Sequence, residues 1–182
     1  GNMITGTTAM TNNGVLEKYC YDDNSSNCDD YGGLYQWVEL MNYTLTPGTA
    51  GLCPPVAGWH MPTGPEMYLL STYLGGESVA GGKLKEAGTA HWTDPNTGAT
   101  NESGFTALPG GLFYSATSVF NGLHTANYLA TSSEFDGIRS VDRRLSHTAA
   151  SVIHSASFKN DGLSVRCVKG DYVNQPPFQP TN

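Results

Sequence analysis

The chain has 182 residues, only 14% of them charged, and a net charge of −7 at neutral pH. That length suits a single domain with a substantial buried core, while 22 glycines and 10 tyrosines favour turns and short strands over long solvated helices. An acidic chain is a poor match for nucleic acid, whose phosphates call for a basic surface, and no stretch approaches the about 20 apolar residues of a membrane span.

Residues 1–100 carry 10 acids against 3 bases, whereas residues 101–182 carry 6 of each. The opening Gly1-Asn2 reads as a cleavage or tag scar, with any leader peptide already removed. The first predicted element is a strand over "VLEKYCY" (15–21), where apolar and polar residues alternate. In "DYGGLYQWVELMN" (30–42), Leu34, Trp37, Val38 and Met41 recur at helical spacing and predict an amphipathic helix with one buried stripe. A Pro/Gly loop follows over 45–64. Thr63 and Glu66 then have the spacing of a capping box, with Pro65 in the first turn, and predict a second helix with Met67, Leu70 and Leu74 buried. Gly75 and Gly76 end it, and no comparable helix is predicted beyond. From Gly81 the sequence reads as loops with brief strands. "AASVIHSASFKN" (149–160) and "GLSVRCVKG" (162–170) alternate as strands, and the Pro-, Gln- and Asn-rich stretch 170–182 reads as a flexible tail or linker.

Four cysteines, Cys20, Cys28, Cys53 and Cys167, lack C-x-x-C spacing, so two disulfides and an oxidising compartment are the better reading than a zinc or thioredoxin-type site. Three connectivities exist. Cys20 and Cys28 flank a short polar loop, where a local bridge needs little rearrangement, which leaves Cys53 to join Cys167 and pin the last strand to an early loop.

The stretches "YCYDDNSSNCDDYGGLYQW", "CPPVAGWHMPTGPEMYLLSTYLGG", "GGKLKEAGTAHW", "TNESGFTALPGG" and "GLSVRCVKG" together resemble the Fibrobacter succinogenes major paralogous domain, found in secreted and surface proteins of Bacteroidetes and Fibrobacteres. The resemblance implies one domain over 1–169. It implies an α+β, C-type-lectin-like fold related to formylglycine-generating enzymes: two short helices on small antiparallel sheets, a long loop region as the ligand face, and termini close together. The family's opening strand ends in W-x-x-x-N-L, of which "NMITG" is what remains here, so the domain is expected to lack that strand in whole or part. Where the family carries W-S-S-T, this chain has "YLATSSE" (128–134). Residues 111–167 also resemble the variable region of diversity-generating retroelement targets, which implies a receptor with a diversified face.

Site readings follow from residue chemistry. Tyr114, Phe120, Tyr128 and Phe135, with His124, His147, Arg139, Arg143 and Arg144, crowd a segment without helical pattern. Aromatic area beside adaptable donors suits a contact face for a protein or glycan ligand. Asp22, Asp23, Asp29 and Asp30 are oxygen donors of the kind calcium takes, without EF-hand spacing, and a solvated acidic loop explains them as well. His124, His147 and His154 are too scattered to spell a zinc site. His60, just before a helix cap, reads as a packed, hydrogen-bonded histidine. No H-E-x-x-H, G-x-S-x-G or P-loop pattern occurs.

The expectation is therefore a non-catalytic binding or adhesion module, extracellular or at a cell surface, needing no cofactor and not inserted in a membrane. The alternative is a structural subunit of a surface fibre or pilus. A copper-dependent oxidase like the formylglycine-generating enzymes comes third, because both cysteine pairs read as structural. The sequence sets no oligomeric state.

Overall fold

The computed structural model describes residues 1–54, 56 and 58–171; the tail expected from residue 170 onward lies outside them after Asp171. β1 (Asn2–Ile4) runs parallel to β2 (Glu17–Tyr19). Residues Tyr21–Asp23 make a single 3-10 turn and lead into α1 (Ser25–Tyr31). The polar stretch between the first two cysteines is therefore helical, not a loop. The Asn24 side chain accepts the Ser26 amide and caps α1, and Gly32, at φ +83°, lets the chain leave it.

The amphipathic helix expected over 30–42 shrinks to α2 (Trp37–Leu40). Upstream of it, Leu34 and Tyr35 are extended, because their amides donate to the carbonyls of Tyr19 and Leu163, both at 2.9 Å. Those long-range partners satisfy the backbone that a helix would otherwise satisfy internally. The buried stripe survives the change: Leu34, Trp37 and Met41 are all in the core.

After β3 (Trp59–His60) comes α3 (Gly64–Tyr73), opened by the expected capping box. Thr63 Oγ1 accepts the Glu66 amide while the Glu66 carboxylate accepts the Thr63 amide at 2.8 Å. Gly75 and Gly76 end α3, yet the chain at once re-enters a helix, α4 (Glu77–Leu84), where the sequence suggested loops. Its interior glycines are there for packing. A Cβ on Gly81 would lie 2.3 Å from the Ser151 carbonyl oxygen, and one on Gly82 2.1 Å from that of Gly98.

The region 110–160, expected to be mostly loops, holds the main sheet. It comprises β4 (Gly110–Tyr114), β5 (Val119–Leu123), β6 (Ala126–Glu134), β7 (Arg139–Ser146) and β8 (Ile153–Phe158), in the order β5-β4-β6-β7-β8. Neighbours are antiparallel except β4 and β6, which are parallel and touch only at Gly111 and Asn127. Residues 162–164 fill the gap beyond that point, bridging Phe113 on β4 and Leu129 on β6 while Leu163 bridges Tyr35. What read as one strand over 162–170 is thus a short bridging stretch followed by β9 (Val168–Lys169), which pairs with β3.

The fold is α+β, with four short helices among the described residues rather than two, and with parallel as well as antiparallel pairing. Both expected disulfides are present: Cys20–Cys28 with Cα atoms 5.0 Å apart and Cys53–Cys167 with 5.7 Å. Three apolar clusters make up the core, built around Trp37, around Trp92 with Leu84 and Leu145, and around Tyr19 with Phe113. Beside Trp92 sits Lys85, fully buried, its ammonium donating to the carbonyls of Thr97, Ser146 and Ala149 at 2.8–3.0 Å. Burial pushes its pKa down to about 8.

A candidate ligand groove on the curled sheet

The sheet curls so far that the β4–β5 hairpin and the end of β8, at opposite edges of the strand order, line one open groove of about 460 Å³. Cross-strand pairing puts Leu112 opposite Asn121 and Tyr114 opposite Val119, so these four share one face of the hairpin. Phe113 and Phe120 point to the other face and into the core. Tyr128 of β6 continues the floor, and Ala156–Phe158 with Asp161 form a wall. Asp161 is buried and its Oδ1 accepts both the amide and the hydroxyl of Ser115, at 2.9 and 2.7 Å, which fixes the hairpin against the wall.

Tyr128 lies opposite Arg144 on β7, whose guanidinium carbon stands 5.3 Å from the centre of the phenol ring. Burial raises the pKa of the Tyr128 hydroxyl and Arg144 works against that rise. Among the described residues no carboxylate comes within salt-bridge distance of Arg144. The exposed Thr117 and Asn121 side chains make no hydrogen bonds there either, leaving a hydroxyl and an amide open on the groove.

The nine residues singled out from sequence are scattered. Tyr114 and Tyr128 line the groove and Arg144 stands at its margin. Phe120 is no surface aromatic: it packs on Phe113 and Tyr21, with ring centres 5.1 and 5.3 Å away. Arg143, only 1% exposed, is interior; it donates to the carbonyls of Gly64 at 2.8 Å and Asp142 at 3.0 Å, and burial lowers its pKa to about 10. Adjacent strand residues point to opposite faces, which is why Arg143 and Arg144 part company.

Phe135 and Arg139 lie together at the β6–β7 turn, 4.6 Å apart. There Arg139 clamps Asp136 through Nε and Nη2 and holds that carboxyl below its ordinary range. His124 and His147 belong to a third place, where Nδ1 of each lies beside a backbone carbonyl, of His91 and of Asp94 respectively, and the Tyr31 ring meets His91 and His124 edge-on.

The acidic residues do not converge. Asp22 and Asp23 occupy the 3-10 turn, Asp29 and Asp30 lie on α1, and Asp23 Oδ1 accepts the Gly6 amide. Among the described residues no three or more His, Cys, Asp or Glu side chains form a group able to hold a metal. His60 Nε2 meets Glu66 Oε1 at 2.9 Å beside the α3 cap, as a packed histidine should. The sequence reading missed Asn121, Thr117, Ser157 and Phe158. Alternation along "GGLFYSATSVFNGL" was the signal available, hidden because neither face of that hairpin is uniformly apolar.

A family model described as the Fibrobacter succinogenes major domain matches residues 1–169, which covers every element named above. The chain belongs to that family. No curated protein and no solved structure matches it significantly. In this Fibrobacter succinogenes major domain, the two disulfides are compatible with an extracellular location, and no helix among the described residues is long and apolar enough to cross a membrane.

Proposed function

We propose that this domain is a non-catalytic extracellular binding module and that its ligand lies in the groove between the β4–β5 hairpin and β8. The observation that carries the reading is the open groove itself: Tyr114 and Tyr128 stand on its strands beside a hydroxyl and an amide without hydrogen bonds, and a guanidinium over the Tyr128 ring without a carboxylate, among the described residues. Rigid aromatic area next to open donors and acceptors is the chemistry of recognition surfaces. All four cysteines are joined in disulfides, which supports a structural over a thiol-catalytic role. A glycan and protein array, probed with the wild-type domain and with a Tyr114→Ala/Tyr128→Ala double variant, tests this. Hits that vanish with the double variant support the groove; hits that persist unchanged refute it.

A second reading, a structural subunit of a surface fibre, draws on the outer side of α3 and the start of α4. There Tyr73 is 88% exposed and Tyr68, Leu69 and Val79 are also exposed, apolar surface that a neighbouring subunit would cover. Sedimentation across a concentration series separates the two: a stable monomer favours the binder, steady growth of polymers the fibre.

A further inference from the structure

The groove also indicates what kind of ligand it takes. Its chemistry falls into three parts. Tyr114, Tyr128 and Phe158 supply aromatic surface; Thr117 and Asn121 supply exposed hydroxyl and amide groups without hydrogen bonds among the described residues; Arg144 supplies a cation at the margin. The net charge is −7, and at the nearby β6–β7 turn Arg139 is already neutralised by Asp136. Arg144 is exposed, held against Tyr128 and without a carboxylate among the described residues, so its planar fork of donors is available to an anion. The one carboxylate lining the groove, Asp161, is buried and accepts two hydrogen bonds from Ser115, which offset its charge.

Hot spots for protein partners cluster in well-packed, desolvated pockets. This groove is instead open, with polar and aromatic groups side by side along it, a surface suited to a ring that carries hydroxyls on its edge and C–H bonds on its faces. We propose that the groove binds an acidic saccharide, the sugar ring seated against Tyr114 and Tyr128, its hydroxyls on Thr117 and Asn121, and its carboxylate on Arg144. This inference rests on the groove being the ligand site.

Isothermal titration of the whole domain with alginate, polygalacturonate, hyaluronan and sialyllactose oligosaccharides, and with the methyl ester of polygalacturonate as an uncharged control, tests it. At least one acidic sugar should bind, with affinity falling as salt rises, and the neutral ester should not bind. Arg144→Gln and Asn121→Ala should each weaken that binding, the former about tenfold, with unchanged melting temperatures. Equal binding of ester and acid, no effect of Arg144→Gln, or failure of all four acidic sugars would overturn the proposal. If a protein or neutral glycan from the array instead binds and is lost on replacing Tyr114 and Tyr128, the acidic-sugar assignment falls while the groove stands. If those replacements leave every array hit unchanged, the groove itself is misplaced.

Discussion

Cys53–Cys167 and Cys20–Cys28 close loops of very different size, with sequence separations of 114 and 8. In the chain-entropy treatment the unfolded state loses freedom as the logarithm of loop length, which corresponds to about 5 kcal/mol for the long closure and about 2.5 kcal/mol for the short one. The structure adds to the contrast. Cys53 is 3% exposed in the cluster of Trp37, Leu40 and Met61, and its bond holds β9 on β3, a ladder of only two residue pairs that would not persist alone. A Cys53→Ala/Cys167→Ala variant should therefore lose about 5 kcal/mol in urea unfolding, or roughly 10–20 °C in melting temperature for a chain of this size. The Cys20→Ala/Cys28→Ala variant should lose about half of that. Hydrogen exchange in the first variant should rise earliest at Val168 and Lys169. If the long-loop variant proves no less stable than the short-loop one, the tie between early loop and last strand does not carry the role assigned to it.

Asp142 is fully buried, with Oδ2 accepting the Ser157 hydroxyl and Oδ1 without a hydrogen bond among the described residues; burial raises its pKa from 3.8 to about 6. The fold favours the protonated form, so a contribution of about 3 kcal/mol is present below pH 4 and lost as pH rises through 6. Urea midpoints at pH 4 and 7 should diverge less in Asp142→Asn than in wild type, and parallel pH profiles would refute the assignment. Gly82→Ala should destabilise by about 1–3 kcal/mol despite alanine's higher helix propensity, because its Cβ meets the Gly98 carbonyl at 2.1 Å; a raised melting temperature would contradict that packing. Lys85→Met keeps most of the side-chain volume but strips the donor from three buried carbonyls, and calorimetry should show a loss of about 3 kcal/mol or more; a neutral change would mean water replaces the ammonium freely.

Local signals in the sequence were legible where local physics decides. The Thr63–Glu66 box, the glycine stop after α3, the Cys20–Cys28 bridge and the buried stripe of Leu34, Trp37 and Met41 follow from short-range spacing, and all are present, as is the Cys53–Cys167 bridge that the first pairing leaves over. Misreadings occurred where distant partners overrule neighbours. Leu34 and Tyr35 leave the helical path for Tyr19 and Leu163, and Gly81 and Gly82 looked like a loop because the backbones of Ser151 and Gly98 are far off in sequence. The main sheet was hidden by its own chemistry: β7 reads "RSVDRRLS", with Asp142 and Arg143 buried against polar partners that no period-two pattern announces. The same concealment mixed the groove with the core. Arg144 and Arg143 are adjacent and chemically identical, and only the side-chain alternation of a strand, invisible while the segment was read as loop, separates a candidate ligand contact from an interior one.

The most direct test of the groove is a residue-resolved map of ligand contact. Amide chemical shifts of the labelled domain should be followed during titration with the best-binding array hit or acidic sugar. Perturbations centred on Tyr114, Asn121, Tyr128, Arg144 and Ser157 are predicted, with Asp22–Asp30 and Leu69–Tyr73 unchanged. Shifts confined to the acidic turn or to the outer side of α3, with the groove silent, would contradict the account.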